Sequence, residues 1–338
     1  MIPQEKNAAV TRGLHEAFGV TEFEEIHMMK DLASSLVFRV VVRGSPFLLK
    51  ISTRTNDPAR HYACMNAAAE AGLTPHVWYT SSEDQISIAD FVQAVPLRVK
   101  DALIRIPAAL RTLHALPPFP GVPNQINTSY MFLLNKGPAL DAFIRRFQAA
   151  NILPKDHSGE LFARYEQMAA AYPRHKPDMV SSHNDLFKPD NVLFDGDRLW
   201  LIDWEAAFLN DRYTDLAVVA NLIVANEAEE NVYLQQYFGA PPDPYQLARF
   251  FLAQQVAHTF YAMAFLLLGS SGEPIDWNEP VPGFRDFHRR FWAGEIDLAD
   301  KQTKIVYGRV HLEQLLRNVQ QTRFNEALRI VSDRHARP

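Results

Sequence analysis

Residues 182–215 read SHNDLFKPDNVLFDGDRLWLIDWEAAFLNDRYTD, and this stretch decides how the rest of the chain is read. It places an acid, Asp185, in a polar segment, an amide, Asn191, six residues later, and a second acid, Asp203, beyond two short apolar runs. Those runs, Val192–Phe194 and Leu199–Ile202, flank Asp195-Gly196-Asp197. Asp-Gly between apolar runs is a hairpin signal. A hairpin turned there returns Asn191 and Asp203 to its open end, level with one another. Two oxygen donors at one point suit Mg2+, which takes a few protein oxygens and completes its shell with phosphate and water. Asp185, on the loop feeding that end, can accept a hydrogen bond from a hydroxyl and aim it at a γ-phosphorus. Singly, each is an ordinary loop or turn residue. Their order, with a hairpin between them and a strand lysine upstream, points to phosphoryl transfer.

The remaining composition narrows the class. The chain has 338 residues, 47% hydrophobic and 22% charged, enough for one large domain or two joined lobes and not the mixture of a disordered protein. A formal net charge of -5 gives no reason to expect nucleic acid as the main partner. Cys64 is the only cysteine, so neither an internal disulfide nor a multi-cysteine zinc site is available, and a cytoplasmic setting is expected. The opening MIPQEKNAAVTRG lacks the apolar core of a signal peptide. The longest apolar run, Val256–Gly269, is short for a membrane span and contains His258, so a buried helix is expected and no membrane partner.

Upstream, Val10, Leu14, Ala17 and Phe18 share a helical face. From Leu36 the texture turns to strands: LVFRVVV, a turn at Arg43–Pro46, then FLLKIS. In the latter, Phe47, Leu49 and Ile51 share one face, which sends Lys50 to the other with Leu48 and Ser52. A lone lysine in an apolar strand is a natural phosphate contact; its bland alternative is an edge-strand lysine in solvent. A helix is expected from Pro58 to Ala71, stopped by Gly72, and a strand over Gln85–Val92. After Pro96 the pattern is mostly helical. The expected fold is α+β and two-lobed: residues 1–95 a small antiparallel-sheet lobe with a hinge near 90–95, residues 96–338 a helical lobe.

The string HNDLFKPDNVLF, followed by LIDWE and NDRYTDLA, resembles the kinases of the aminoglycoside phosphotransferase and choline/ethanolamine kinase superfamily. Glu205 after Asp203-Trp204, then Asn210 and Asp215-Leu216-Ala217, is more similar to the choline/ethanolamine branch. The resemblance covers the layout of nearly the whole chain and is specific across 181–217. It implies a protein-kinase-like fold, ATP (or GTP) and Mg2+ as cofactors, Asp185 as catalytic base, Asn191 and Asp203 as metal ligands, and His183 and Asp215 as braces of the loop. The loop here is one residue longer than the family's HxDxxxxN, with Phe187 or Lys188 as the expected outward bulge. Lys188 is a candidate γ-phosphate contact, with a solvated loop lysine as the alternative. Lys30–Ser35 matches the phosphate-covering loop in layout, and Ser34 and Ser35 supply hydroxyls there. Adenine is expected against backbone at Asp90, Phe91 and Val92, with Ile88 and Phe91 as apolar walls.

Kinases of this fold pair the strand lysine with a helix glutamate. Here the equivalent position falls near His61, and Glu70 is the only acid in that helix; His61, Glu70 or no partner all stay open. The same gap raises a catalytically inactive nucleotide-binding protein as the rival reading. The acceptor is expected to be a small hydroxylated molecule, cationic in the first instance: an amino alcohol such as choline or ethanolamine first, an aminoglycoside or other hydroxylated metabolite second. Glu205, Asp211, Trp277 and Trp292 are its candidate pocket residues, since acids and aromatic faces together hold cations. The short interval from Asp203 to Asp215 leaves no room for a long peptide-docking segment.

Overall fold

A computed structural model describes residues 2–32, 35–53, 57–119, 138–172, 179–270 and 274–335. Ser34 lies outside the described residues. The chain opens with helix α1 (Asn7–Phe18), which ends at Gly19 in the left-handed region, φ 69°. Three strands follow, β1 (Glu25–Leu32), β2 (Ser35–Val42) and β3 (Ser45–Ser52), then helix α2 (Pro58–Glu70), β4 (Val77–Ser81) and β5 (Ile86–Asp90). They form one antiparallel five-stranded sheet in the order β1-β2-β3-β5-β4. Helices α3 (Val99–His114), α4 (Pro138–Ala150) and α5 (Lys155–Ala171) come next. Four short strands, β6 (Met179–Ser182), β7 (Val192–Phe194), β8 (Leu199–Leu201) and β9 (Phe208–Asp211), carry the region read above. The chain closes with α6 (Arg212–Ile223), α7 (Glu227–Phe238), α8 (Pro244–Ser270), α9 (Phe284–Trp292), α10 (Lys301–Asn318) and α11 (Thr322–His335).

The sheet has two unlike faces, and its register says why. Phe38, Val40, Leu49, Ile51, Ile86 and Ile88 form one face, buried with Val10 and Leu14 of α1. The opposite face takes the alternate residues: Ser35 pairs with Ser52, Val37 with Lys50, and Lys50 with Ser87. Directly paired residues project to the same side, so Lys50 shares a largely polar face with Ser35, Ser52 and Ser87. Ile88 belongs to the apolar face under α1. The expectation of Ile88 as an adenine wall is therefore corrected.

The larger core is helical and centres on α8. Among described helices α8 is long and apolar enough to cross a membrane by length and composition, and 89% of its most apolar window is buried inside the protein. Gly308 lets α10 lie on it: a Cβ there would sit 2.8 Å from Leu266 Cγ and 3.0 Å from Ala262 O. Cys64, Ala68 and Leu73, in and just after α2, are buried in this larger core together with Leu201, Trp204 and Ala207. Thus α2 follows strand β3 in sequence but docks on the segment that carries Asp203.

Candidate active site

Strand β6 delivers the chain to His183, and β9 pairs with β6 so that Ser182 lies opposite Phe208. Between them the loop is held by its backbone. His183 N–H and Asn184 N–H each donate to Asp215, one to each carboxylate oxygen, at 2.8 Å. His114 Nε2 lies 3.2 Å from the same carboxylate, and His114 Nδ1 lies 2.7 Å from Tyr237 Oη. Burial alone would push the Asp215 carboxyl up; the bonds from His114 and the backbone outweigh it and hold it below the usual carboxylate range. Asn184, at φ 65°, is secured as well: it accepts from Asn210 Nδ2 at 2.7 Å and donates to Ala206 O at 3.2 Å. His183 spans to Ile202 O at 2.9 Å. The bracing role expected of His183 and Asp215 thus has a geometric basis. The tie of His114 to Asp215 has no mark in the sequence, because the two residues lie 101 positions apart.

Asp185 follows this braced turn. Its Oδ2 accepts from Lys188 Nζ at 2.7 Å and from Asn191 Nδ2 at 3.0 Å. Burial raises its pKa above the ordinary carboxylate value, and the neighbouring Asp203 charge adds to this, while Lys188 opposes it. Asn191 also donates to Asp185 O at 2.7 Å. Its backbone oxygen accepts from Ile202 N–H at 3.0 Å, which places it beside the residue preceding Asp203.

Of the two residues expected to bulge outward, Phe187 does not. Phe187 turns inward, its ring 5.2 Å from Tyr261 and 5.8 Å from Phe265, because an apolar side chain beside the helical core gains by leaving water. A 3-10 turn at Pro189–Asn191 follows, with Asp190 outward and paired to Lys30 of β1 at 2.8 Å.

Asp203 closes the hairpin's far side in the left-handed conformation, φ 70°. Lys50 Nζ reaches it from the sheet, 2.9 Å from Asp203 Oδ1 and 2.9 Å from Glu205 Oε1. Burial would push the Asp203 carboxyl up, but the lysine's charge dominates and holds it well below the carboxylate range; the same pairing raises Lys50 despite its burial. Two expectations are corrected here. Lys50 has acidic partners, and they are neither His61 nor Glu70: Glu70 is exposed at the far end of α2, while His61 is buried with an unpartnered Nδ1 and kept neutral by burial and by Lys50. Glu205, expected in the acceptor pocket, pairs with Lys50 instead.

The other pocket residues are placed elsewhere too. Asp211 caps α6 by accepting from Tyr213 N–H at 2.9 Å, and its second oxygen accepts from Arg249, which is buried among the rings of Tyr172, Tyr213 and Tyr245. Both carboxylate oxygens are engaged inside the core, so the acceptor assignment of Asp211 is corrected. Trp277 stacks under Arg309, and Trp292 donates to Leu97 O at 2.9 Å. The rings that meet the loop of His183–Phe187 are Trp204, against His183, and Tyr261 and Phe265, against Phe187.

At the expected hinge, Asp90 ends β5 and accepts from Trp78 Nε1 at 2.7 Å. Phe91 lies under Arg39, 5.6 Å from guanidinium carbon to ring centroid. Val95 N–H donates to Phe194 O at 2.7 Å, strapping the segment to the β7–β8 hairpin. Ser35 is buried at the start of β2, on the face that carries Lys50.

An antiparallel sheet whose lysine meets two acids of a helix-rich region, across from a loop bearing Asp185 and Asn191, is the architecture of protein-kinase-like phosphotransferases. The chain belongs to the phosphotransferase enzyme family APH, which matches residues 29–250. Solved structures agree on the fold. A choline/ethanolamine kinase family protein from Mesorhizobium loti is similar at a TM-score of 0.65 with 17% identity, over 96% of this chain and 99% of that one. Choline kinase LicA from Streptococcus pneumoniae gives 0.54 with 16% identity, over 86% and 100%. The streptomycin–ATP–APH(2")-IIa ternary complex gives 0.55 with 15% identity, over 80% and 92%. No curated protein matches the chain significantly.

Proposed function

We propose that the protein is an ATP-dependent, Mg2+-dependent small-molecule kinase that transfers the γ-phosphate to a hydroxyl of an amino alcohol of the choline or ethanolamine kind. The observation that carries this is the opposition of two clusters: Lys50 with Asp203 and Glu205, and Asp185 with Lys188 and Asn191. Similar folds include choline kinases and an enzyme crystallised with ATP and streptomycin, which supports nucleotide use and keeps an aminoglycoside or other hydroxylated metabolite as the second reading. GTP is the alternative donor. A cytoplasmic location, with neither nucleic acid nor membrane as partner, and two lobes meeting near residues 90–95 belong to the same proposal. Phe91, Val92, Gln93 and Ala94 make no backbone–backbone hydrogen bond among the described residues, which suits a segment that receives adenine.

The donor set fits Mg2+. Among the described residues no three His, Cys, Asp or Glu side chains form a metal cage. One carboxylate and one amide oxygen, with water and phosphate oxygens completing the shell, suit a hard ion of this kind. Asn191 and Asp203 would hold it, and it would neutralise phosphate charge during transfer. The chain's own groups act around it. Lys50 is positioned to meet phosphate oxygens. Asp185, with its raised pKa, accepts the proton of the acceptor hydroxyl as the new O–P bond forms and the bond from the γ-phosphorus to the bridging oxygen breaks, leaving ADP. Lys188 stands beside the transferred group. Phe187, partly buried and backed by Tyr261 and Phe265 of the core, is the aromatic ring beside Asp185 that a cationic acceptor would meet.

The test is ATP consumption over a panel of hydroxylated amines, aminoglycosides and sugars, with Asp185→Asn alongside. Turnover with an amino alcohol that vanishes in the variant while nucleotide still binds is the expected result. Nucleotide binding without turnover on any acceptor would favour the inactive-protein reading.

A further inference from the structure

The helix that follows the phosphate-lysine strand carries no acid toward Lys50, yet it is not idle. Asp57 caps α2, accepting from Arg60 N–H at 3.0 Å, and its other oxygen lies 3.5 Å from Arg60 Nε. This fixes the direction of the guanidinium, whose Nη2 donates to Glu205 O at 3.0 Å and whose Nη1 donates to Ala207 O. Cys64, one turn on, sits 3.9 Å from the same Ala207 O. Trp204, in the turn between, is fully buried and donates to Thr74 Oγ1 at 2.7 Å. The turn so gripped, Trp204–Ala206, begins at Asp203 and presents Glu205 to Lys50.

We propose that Arg60 is a positioning residue of the phosphate and metal site. It sets the Asp203–Ala207 segment from α2 by binding the carbonyls of Glu205 and Ala207. The charges are exchanged relative to the arrangement expected from the sequence: the helix supplies a cation to backbone oxygens, and the segment after the hairpin supplies the anion to Lys50. A guanidinium suits this work because its planar fork spans two acceptors, whereas an ammonium is a point donor. Asp203 needs such support. A non-glycine residue at positive φ persists only where its surroundings over-determine it. The inference rests on the kinase reading, because it assigns the turn to a nucleotide–metal site.

The experiment compares wild type with Arg60→Lys, Arg60→Gln and Arg60→Ala. Mn2+ binding is read by EPR in the presence of a non-hydrolysable ATP analogue, and ATP turnover is read as a function of Mg2+. Partners that orient metal ligands typically contribute about 10–100-fold in affinity, so Arg60→Ala and Arg60→Gln are expected to weaken Mn2+ binding at least about tenfold. The Mg2+ needed for half-maximal turnover should rise in parallel, and Arg60→Lys should recover only part of the loss. Wild-type Mn2+ affinity in Arg60→Gln would overturn the proposal. So would full recovery in Arg60→Lys, since charge alone would then suffice. If Arg60→Ala does not fold, the Lys and Gln variants decide. A wild-type protein that binds Mn2+ and nucleotide without turnover removes the kinase reading, and the EPR comparison still judges Arg60. A wild-type protein that binds no Mn2+ with the analogue removes both.

Discussion

Replacing Asp215 with asparagine tests the brace beneath the catalytic loop. The carboxylate is fully buried and accepts from three donors: His183 N–H and Asn184 N–H at 2.8 Å each, and His114 at 3.2 Å. An asparagine of the same shape has a single acceptor oxygen, and its amide nitrogen must face at least one of the two backbone N–H groups. The variant therefore loses a charge-assisted bond and leaves a buried donor unpaired, which together predict a loss of about 2–5 kcal/mol. Typical domains have about 5–15 kcal/mol in total, so the variant should fold with a visibly lowered denaturation midpoint. The sign of the pH effect follows from the depressed carboxyl. The brace's contribution is fully present above the unfolded value of 3.8 and is lost as pH falls through the lower folded value. Asp215→Asn should lack that component of the acid sensitivity. Urea denaturation at neutral pH measures the loss, and kcat measures the disturbance passed to Asp185. A variant within about 0.5 kcal/mol of wild type, the usual range of an inconsequential surface change, would refute the reasoning.

Further outcomes follow from the same geometry. Asp185→Asn should lower kcat by about 10^2–10^4-fold with nucleotide affinity retained, as removal of a general base does, and isothermal titration with an ATP analogue separates the two. Lys50→Met leaves the neighbouring Asp203 and Glu205 carboxylates without their cation; a loss of stability of about 2–4 kcal/mol, discounted for their partial exposure, should accompany a rise in the KM for ATP, and unchanged values of both would remove Lys50 from the site. His258, His288 and His311 form a buried group around Phe284 and Tyr307, and burial lowers the pKa of all three, His288 to about 3. Held neutral in the fold, they add stability that is complete above about pH 6.5 and declines as pH falls, by up to roughly 1.4 kcal/mol per unit for each. Their NMR imidazole signals should not titrate down to pH 5, and a midpoint near the free value would contradict this.

What was legible in the sequence and what was not separate along one physical line. The antiparallel sheet, the two faces of β3 and the hairpin between Asn191 and Asp203 are local: alternation and an Asp-Gly turn set them within a few residues. Side chains that act across the fold left no such trace. Glu205 meets Lys50 across 155 positions and His114 meets Asp215 across 101, and no period or spacing encodes either pairing. Composition near the site also misled. Aromatic and acidic residues suggested an acceptor pocket at Asp211, Trp277 and Trp292, although Asp211 was already committed to a buried arginine and the tryptophans to Arg309 and Leu97. Phe187 shows how the correction runs. The added loop residue predicts an outward bulge at Phe187 or Lys188, but a loop beside an apolar helix has a more favourable arrangement: the ring of Phe187 goes in, and the acid next to Asn191 goes out. That exchange sets Phe187 against Tyr261 and Phe265, while His183 at the start of the same loop packs on Trp204, so the segment around Asp185 is held to the helical core from both sides.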